Sequence, residues 1–309
     1  MATKRVPTEH QVLGYMDSLS NWGRWGPDDE LGTLNLITPA KRAQAGRLVQ
    51  EGISVTCSRL IVPEMAPDVT SIPPLHYMIR TGEHAPSSGP GGSSDFIGLS
   101  FHGLTITHLD SLCHQFWDGK MYNGKPASLV GVEQKATAGH IDNAQNGVVT
   151  RGVLLDIAQV KGKEWLEAGE AVFTEDLEAA EEAQGVHVEE GDALLLRLGW
   201  YKRRQKLGPP ASGRPGLHAE TLPWLHRRGV SIIAADASQD MDPSGYPKLG
   251  LPIHRVGIVA MGLWLIDAAN FEELVKVCRE LGRWEFMFTV APLRFYRATG
   301  SPVNPLAIF

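Results

Sequence analysis

Between Phe101 and Gly124 the chain reads FHGLTITHLDSLCHQFWDGKMYNG, and His108, Asp110 and His114 form an H-x-D-x-x-x-H string inside it. His108 and Asp110 lie two apart, so on extended backbone their side chains leave the same side. Asp110 and His114 lie four apart, so one helical turn would stack them. A strand end running into a helical turn would therefore aim imidazole, carboxylate and imidazole at one point. Neutral imidazole with carboxylate suits Zn²⁺, Mn²⁺ or Fe²⁺, and a group left off the ion is available as an acid or base. The alternative is a loop of ordinary polar residues that satisfy one another. Its neighbours weigh against it: Leu104, Ile106, Leu109, Leu112, Cys113, Phe116 and Trp117 are apolar, and polar groups among them need a reason to be there.

The elements that must carry this string are legible in part. Helical spacing runs from Pro39 to Gly52, and a weakly alternating β-branched run, Ile53 to Val62, predicts a strand. Pro63 to Ser94 is rich in Pro, Gly and Ser and predicts a long loop, with His76 and His84 as solvent-facing or rim groups. Phe96 to Thr107 predicts the strand that leads into the string, bulged or turned at Gly103. Val148–Ile157, ALLLRLGW at 193–200 and Val230–Ala235 read as buried strands, the last ending in Asp236. Helices are expected over Phe173–Gln184 (N-cap Thr174, stop Gly185), Ala219–Arg228 (stop Gly229) and Asn270–Leu281. Arg197, inside an apolar run, reads as a structural charge rather than an anion-holding group. Strands alternate irregularly with helices and no linker or repeat interrupts them, so the class is α/β with a mixed sheet in one domain over 1–309. Residues 1–50 read as an aromatic-rich arm and helix, and 51–309 as the catalytic core. The arm's NWGRWGPDDELGTLNLIT packs against the core, or uses Trp22 or Trp25 to wall a substrate pocket, including that of a neighbouring subunit.

The 309 residues can bury a substantial core, and 43% apolar with 21% charged residues is ordinary for a globular protein. A net charge of −6, with no basic stretch longer than Lys202-Arg203-Arg204, argues against nucleic acid as a partner. No apolar span reaches about 18 residues, so no membrane helix is expected. The start, MATKRVPTEHQ, lacks a signal-peptide core. Three scattered cysteines, Cys57, Cys113 and Cys278, suggest reduced thiols and a cytoplasmic location. Cys113 adjoins His114, but a small buried thiol is a commoner role for it than a nucleophile.

THLDSLCH followed by DGKMYNG resembles the signature of the cyclase family of metal-dependent hydrolases, which includes bacterial kynurenine formamidase and isatin hydrolase. RGVLLD, GDALLLRLG, WEF, APL and GSPVNPLAI extend the resemblance over nearly the whole chain and favour the family's longer branch of roughly 300 residues. It implies a swivelling β/β/α fold, a divalent ion (Mn²⁺ or Zn²⁺) and a homodimer or homotetramer. Short members carry H-x-G-T-H, where this chain has Leu104 at the first histidine's place and His102 six before His108. Six residues of straight strand span about 20 Å, so His102 joins the site only if the chain folds back near Gly103. His254 followed by Asp267 resembles the second half-site, where glutamate is usual. Asp267 is one methylene shorter, and serves either as a ligand or as a hydrogen-bond partner of a ligand histidine.

The metal candidates are thus His108, Asp110, His254, His102 and Asp267. His114 is the candidate general acid/base, the role of the matching histidine in kynurenine formamidase. Trp22, Trp25 and His218 are candidates for substrate contact. The expected activity is hydrolysis of an amide, imide or lactone of a small molecule by water activated on the ion. A metal-dependent lyase, dehydratase or cyclase is the first alternative. A non-catalytic binding protein on the same scaffold is the second.

Overall fold

The computed structural model describes residues 6–83, 85–210 and 212–309, so His84 lies outside the described residues. The strands that build and border the site are β1 (Ser54–Thr56), β2 (Leu75–Arg80), β3 (Ser94–Gly98), β4 (His108–Asp110), β5 (Val148–Asp156), β6 (Ala193–Arg197), β7 (Ile232–Ala235), β8 (Trp264–Asp267), β9 (Glu285–Val290), β10 (Gly300–Pro302) and β11 (Leu306–Ile308). All but β2 and β3 form one sheet in the order β1-β11-β9-β5-β6-β7-β8-β4-β10. The middle four, β5, β6, β7 and β8, are parallel, and every other pairing is antiparallel. The parallel strands read as near-continuous apolar runs because both faces are covered, as such sheets require. The result is the mixed α/β sheet expected, and it is curled, with β10 and β11 only a few residues apart in the chain yet far apart in strand order.

Helices α1 (Pro39–Gly46), α2 (Thr174–Gln184), α3 (Trp200–Leu207), α4 (Leu222–Arg228) and α5 (Glu272–Leu281) accompany the sheet. Gly185 and Gly229 end α2 and α4 in the left-handed conformation (φ 63° and 62°), the stops predicted from sequence. The cap of α2 is Phe173 rather than Thr174, one residue earlier, with the Asp176 carboxylate accepting the Phe173 N–H at 2.8 Å. None of the helices among the described residues is long and apolar enough to cross a membrane.

Three segments differ from expectation, and the run after His254 takes a form of its own. The strand read over 53–62 pairs only at Ser54–Thr56, since the chain then leaves the sheet and buries the Arg59 side chain. The Pro/Gly-rich stretch is not all loop: β2 and β3 pair as an antiparallel hairpin with a bulge near Met78. The strand into the string stops at Gly98, and residues 99–107 are irregular. The apolar run after His254 is a π-helix, Arg255–Met261, closed by Gly262 (φ 66°), and only then a strand. Apolar periodicity alone does not separate a buried helix from a buried strand.

Arg197 is buried and pairs with Asp156 and Glu272 at 2.9 Å each, the structural role expected. Asp236 ends β7, and its carboxylate accepts N–H bonds from Leu198 (2.8 Å) and Trp200 (3.1 Å) at the start of α3.

Two outcomes test this packing. A Cβ at Gly152 would stand 2.4 Å from the Phe286 ring, its partner on β9. Gly152→Ala should therefore cost about 1–3 kcal/mol by overpacking, seen as a lower urea midpoint; an unchanged midpoint would contradict the β5–β9 register. Burial pushes the Asp236 carboxyl from 3.8 up to about 7, against the pull of the Leu198 N–H and of Arg197. The folded state then holds this proton more tightly than the unfolded chain, so the group's contribution is complete below 3.8 and fades as pH rises through about 7. Urea titrations of metal-free protein should show a flatter pH profile over that window for Asp236→Asn than for the parent chain.

Candidate metal centre

β4 is three residues long and lies between β8 and β10, with both neighbours antiparallel. His108 faces Asp267 on β8, and Asp110 faces Gly300 on β10. Alternation along β4 sends His108 and Asp110 to one face and Leu109 to the other. The chain then turns, with the His114 N–H on the Ser111 carbonyl at 3.0 Å, and this single turn rather than a helix returns His114 toward the carboxylate.

Asp110 is the hub. His102 Nδ1 lies 2.9 Å and His108 Nε2 3.5 Å from its Oδ1, while His254 Nε2 lies 3.6 Å and His114 Nε2 3.8 Å from its Oδ2. Asp267 Oδ2 approaches from β8, 3.2 Å from His254 Nε2. The carboxylate is 1% exposed, yet neither oxygen, nor His102 Nδ1, is aligned in a hydrogen bond with any described residue. A buried carboxylate in that state is costly unless something else engages it. His102, His108 and Asp110 each offer a donor atom within 4.8 Å of the others, so the residues present fit a divalent cation. His102 and Asp110 thus come together because the chain does fold back between Gly98 and Thr107, and His102 Nε2 is held there by Thr299 Oγ1 at 3.0 Å.

The remaining ring nitrogens are anchored outside the cluster. His108 Nδ1 meets the Ile106 carbonyl at 2.8 Å, which leaves Nε2 facing inward as an acceptor. His254 Nδ1 meets Asp240 Oδ2 at 2.5 Å, and the same carboxylate accepts the Ile253 and His254 backbone N–H groups. A carboxylate behind an imidazole orients it and raises its basicity. Burial drives the His254 proton off, but Asp267 and Asp240 overcome this and hold its pKa well above the usual value. His114 goes the other way: burial brings it down to about 4 despite Asp110. Burial also opposes the Asp110 charge, yet His114, His102 and His108 hold its carboxyl well below the ordinary range.

Arg59 ties the three segments together. Its guanidinium donates to the Leu104 (2.7 Å), Asp236 (2.5 Å) and Ala269 (3.2 Å) carbonyls, and its ring-like plane lies 4.7 Å from the Tyr201 centroid. Its backbone N–H reaches Thr107 Oγ1, which donates to the Ala268 carbonyl. Only the rigid fork of arginine spans three acceptors this way.

The three residues expected to touch substrate are each engaged within the chain. Trp22 donates its indole N–H to the Val259 carbonyl at 2.7 Å, and Arg24 covers Trp25. His218 caps the turn 219–221 and meets the Tyr246 hydroxyl at 3.3 Å. Trp22 also lies over the motif stretch, its ring 5.9 Å from Lys120 Nζ and against Gly124. Asp29 and Glu30 of the arm reach the motif stretch and its surroundings as well: Asp29 accepts from Tyr122, and Glu30 from Lys125, Gly139 and Asn143. Cys113 is buried, with its thiol pushed up to about 11, which is poor for a nucleophile. His76 pairs with Asp95 on the exposed hairpin, as a solvent-facing group should.

Arg59, Gln239, Asp240 and Thr299 escaped the sequence reading. The signal for Asp240 was present, since it follows a buried strand that ends in an acidic residue, but Asp236 occupied that description first. A cavity of about 790 Å³ lies beside the cluster, walled by Ile97, Leu99, Phe101, Leu293, Phe295 and Val303 among others. Phe101 belongs to both regions, its ring 4.7 Å from that of His102.

The family profile described as Putative cyclase matches residues 46–241. A crystal structure described as a novel cyclase is 31% identical over 95% of this chain and 99% of its own, with a TM-score of 0.87. Isatin hydrolase A from Labrenzia aggregata, bound to benzyl benzoate, is 19% identical with a TM-score of 0.61, covering 85% of this chain and 94% of that one. Isatin hydrolase A from Ralstonia solanacearum is also 19% identical, with a TM-score of 0.59 and 99% coverage of both chains. These two likenesses show a shared fold. No functionally curated protein matches the chain by sequence. The chain belongs to the Putative cyclase family.

Proposed function

We propose that this protein is a metal-dependent hydrolase that opens or cleaves an amide, imide or lactone bond of a small molecule. The observation that carries this reading is the buried Asp110 carboxylate, without a hydrogen-bond partner among the described residues and ringed by four imidazoles. His102, His108, Asp110, His254 and Asp267 would hold a divalent ion such as Mn²⁺ or Zn²⁺, which when bound would supply Lewis acidity and a lowered pKa for water.

The chain's own groups do the rest. His108 and His254 offer Nε2 because Ile106 and Asp240 occupy their other nitrogens. Asp110 and Asp267 bring two negative charges to a pocket that a dication would otherwise enter at a large desolvation cost. His114 stacks on His102 with ring centroids 4.0 Å apart, and these two, 22% and 28% exposed, are the cluster's imidazoles open to a substrate; His114 is the one of the pair outside the proposed metal set. It takes a proton at Nε2 from the attacking water and returns one to the leaving nitrogen or oxygen. The cavity beyond Phe101, with largely apolar walls, accommodates an apolar substrate body. Exposed apolar side chains on the β2–β3 hairpin, Tyr77, Ile79, Phe96 and Ile97, support assembly as a homodimer or homotetramer.

His114→Ala should lower kcat about 10²- to 10⁴-fold while metal content, read by elemental analysis of protein purified without chelators, stays at the parent level. Asp110→Ala should lose both metal and turnover. Equal metal and activity in the two variants would refute the roles. Turnover in ¹⁸O-water should place the label in the product acid; an unlabelled product would point to lyase or cyclase chemistry instead.

A further inference from the structure

We infer that Gln239 is a positioning residue for the metal centre, fixing Asp267 so that one carboxylate oxygen faces the ion; this rests on the metal-dependent reading above. Gln239 is wholly buried. Its side-chain Nε2 donates to Asp267 Oδ1 at 3.1 Å and to the Ile266 carbonyl at 2.8 Å. With two oxygens on that side, the amide cannot be turned over without setting Oε1 against both, so its orientation is determined by chemistry. Oε1 has no partner among the described residues. The side chain is therefore not kept for a complete set of bonds of its own. What it completes is Asp267: Oδ1 is taken by the amide, and Oδ2 is left 3.2 Å from His254 Nε2 and turned to the cluster.

The need for such a tether follows from length. Asp267 sits directly opposite His108 on the neighbouring strand, so a short side chain suffices to reach the site. A carboxylate pivoting about its own Cβ–Cγ bond would offer the ion either oxygen or both, with no fixed geometry. The Gln239 amide removes that freedom. Its backbone is itself held, since the Gln239 carbonyl accepts the Leu217 N–H at 2.8 Å. The adjacent residue, Asp240, does the equivalent task for His254. Two consecutive residues of one loop thus orient the two donors that the distant half of the chain contributes. Groups of this kind are worth about 10- to 100-fold in metal affinity when removed.

The test is a titration of metal-free protein with Mn²⁺ and with Zn²⁺ against a chromophoric chelator. It is run on the parent chain, Gln239→Met and Gln239→Asn, with circular dichroism of each metal-free form to establish folding. Both variants should bind about 10- to 100-fold more weakly, and Co²⁺-loaded samples should show an altered visible spectrum, which a merely structural loss would not produce. Parent-like affinity and spectrum in a folded variant would overturn the inference while leaving the metal-dependent reading intact. Failure of the parent chain to bind either ion would instead remove that reading. Should both variants unfold, a crystal structure of the parent with Mn²⁺ decides: Asp267 Oδ1 on Gln239 with Oδ2 on the ion supports the role, and Asp267 turned away from Gln239 refutes it.

Discussion

Everything around the centre answers to one electrostatic constraint, a carboxylate taken out of water without hydrogen-bond donors of its own. Ionised carboxylates are rarely buried unless paired, because desolvation costs several kcal/mol per ion. Asp110 is at the bottom of the molecule's polar cluster and meets only imidazoles. Neutral imidazoles with inward-facing lone pairs would not help an anion, and protonated ones would repel one another. A dication reconciles the set, since it turns both the carboxylate and the lone pairs into favourable partners.

The fold meets that constraint by bringing polar groups from five places in the chain. β4 contributes two, the irregular 99–107 segment a third, the turn after β4 a fourth, and the π-helix approach and β8 supply His254 and Asp267. Such a convergence is precise only if the carrying segments are locked to each other. Arg59 does this for the backbone, and Asp240 and Gln239 do it for side chains. The arm adds a further brace through Asp29 and Glu30, whose bonds to Tyr122 and Lys125 hold the DGKMYNG stretch beside the motif.

Much of this was legible before any coordinates, and for identifiable reasons. His108, Asp110 and His114 sit within seven residues, where strand and turn geometry are short-range and spacing is informative. The parallel strands announced themselves as apolar runs, and the helix stops as glycines. His254 and Asp267 come from resemblance, not from pattern, because the twelve mostly apolar residues between them carry no signal of where the ends point. The π-helix shows why: from Val256 to Met261 its residues are apolar and buried on all sides and read equally well as strand. Arg59 was invisible since its partners are backbone carbonyls, which every residue has. Trp22 and Trp25 draw attention by type, whereas the neighbouring acids, which hydrogen-bond to Tyr122 and Gly139, do not.

The closing of the sheet has a temporal corollary. β10, which flanks β4, and β11, which pairs with β1 near the opposite margin, are joined only through Val303, Asn304 and Pro305. Thr299, which steadies His102, belongs to the same late stretch. A ribosome must therefore have delivered residues up to about 302 before β4 gains its second neighbour. A nascent chain stalled before that point would carry the histidines and the aspartate without β10 and Thr299 to complete the cradle around them.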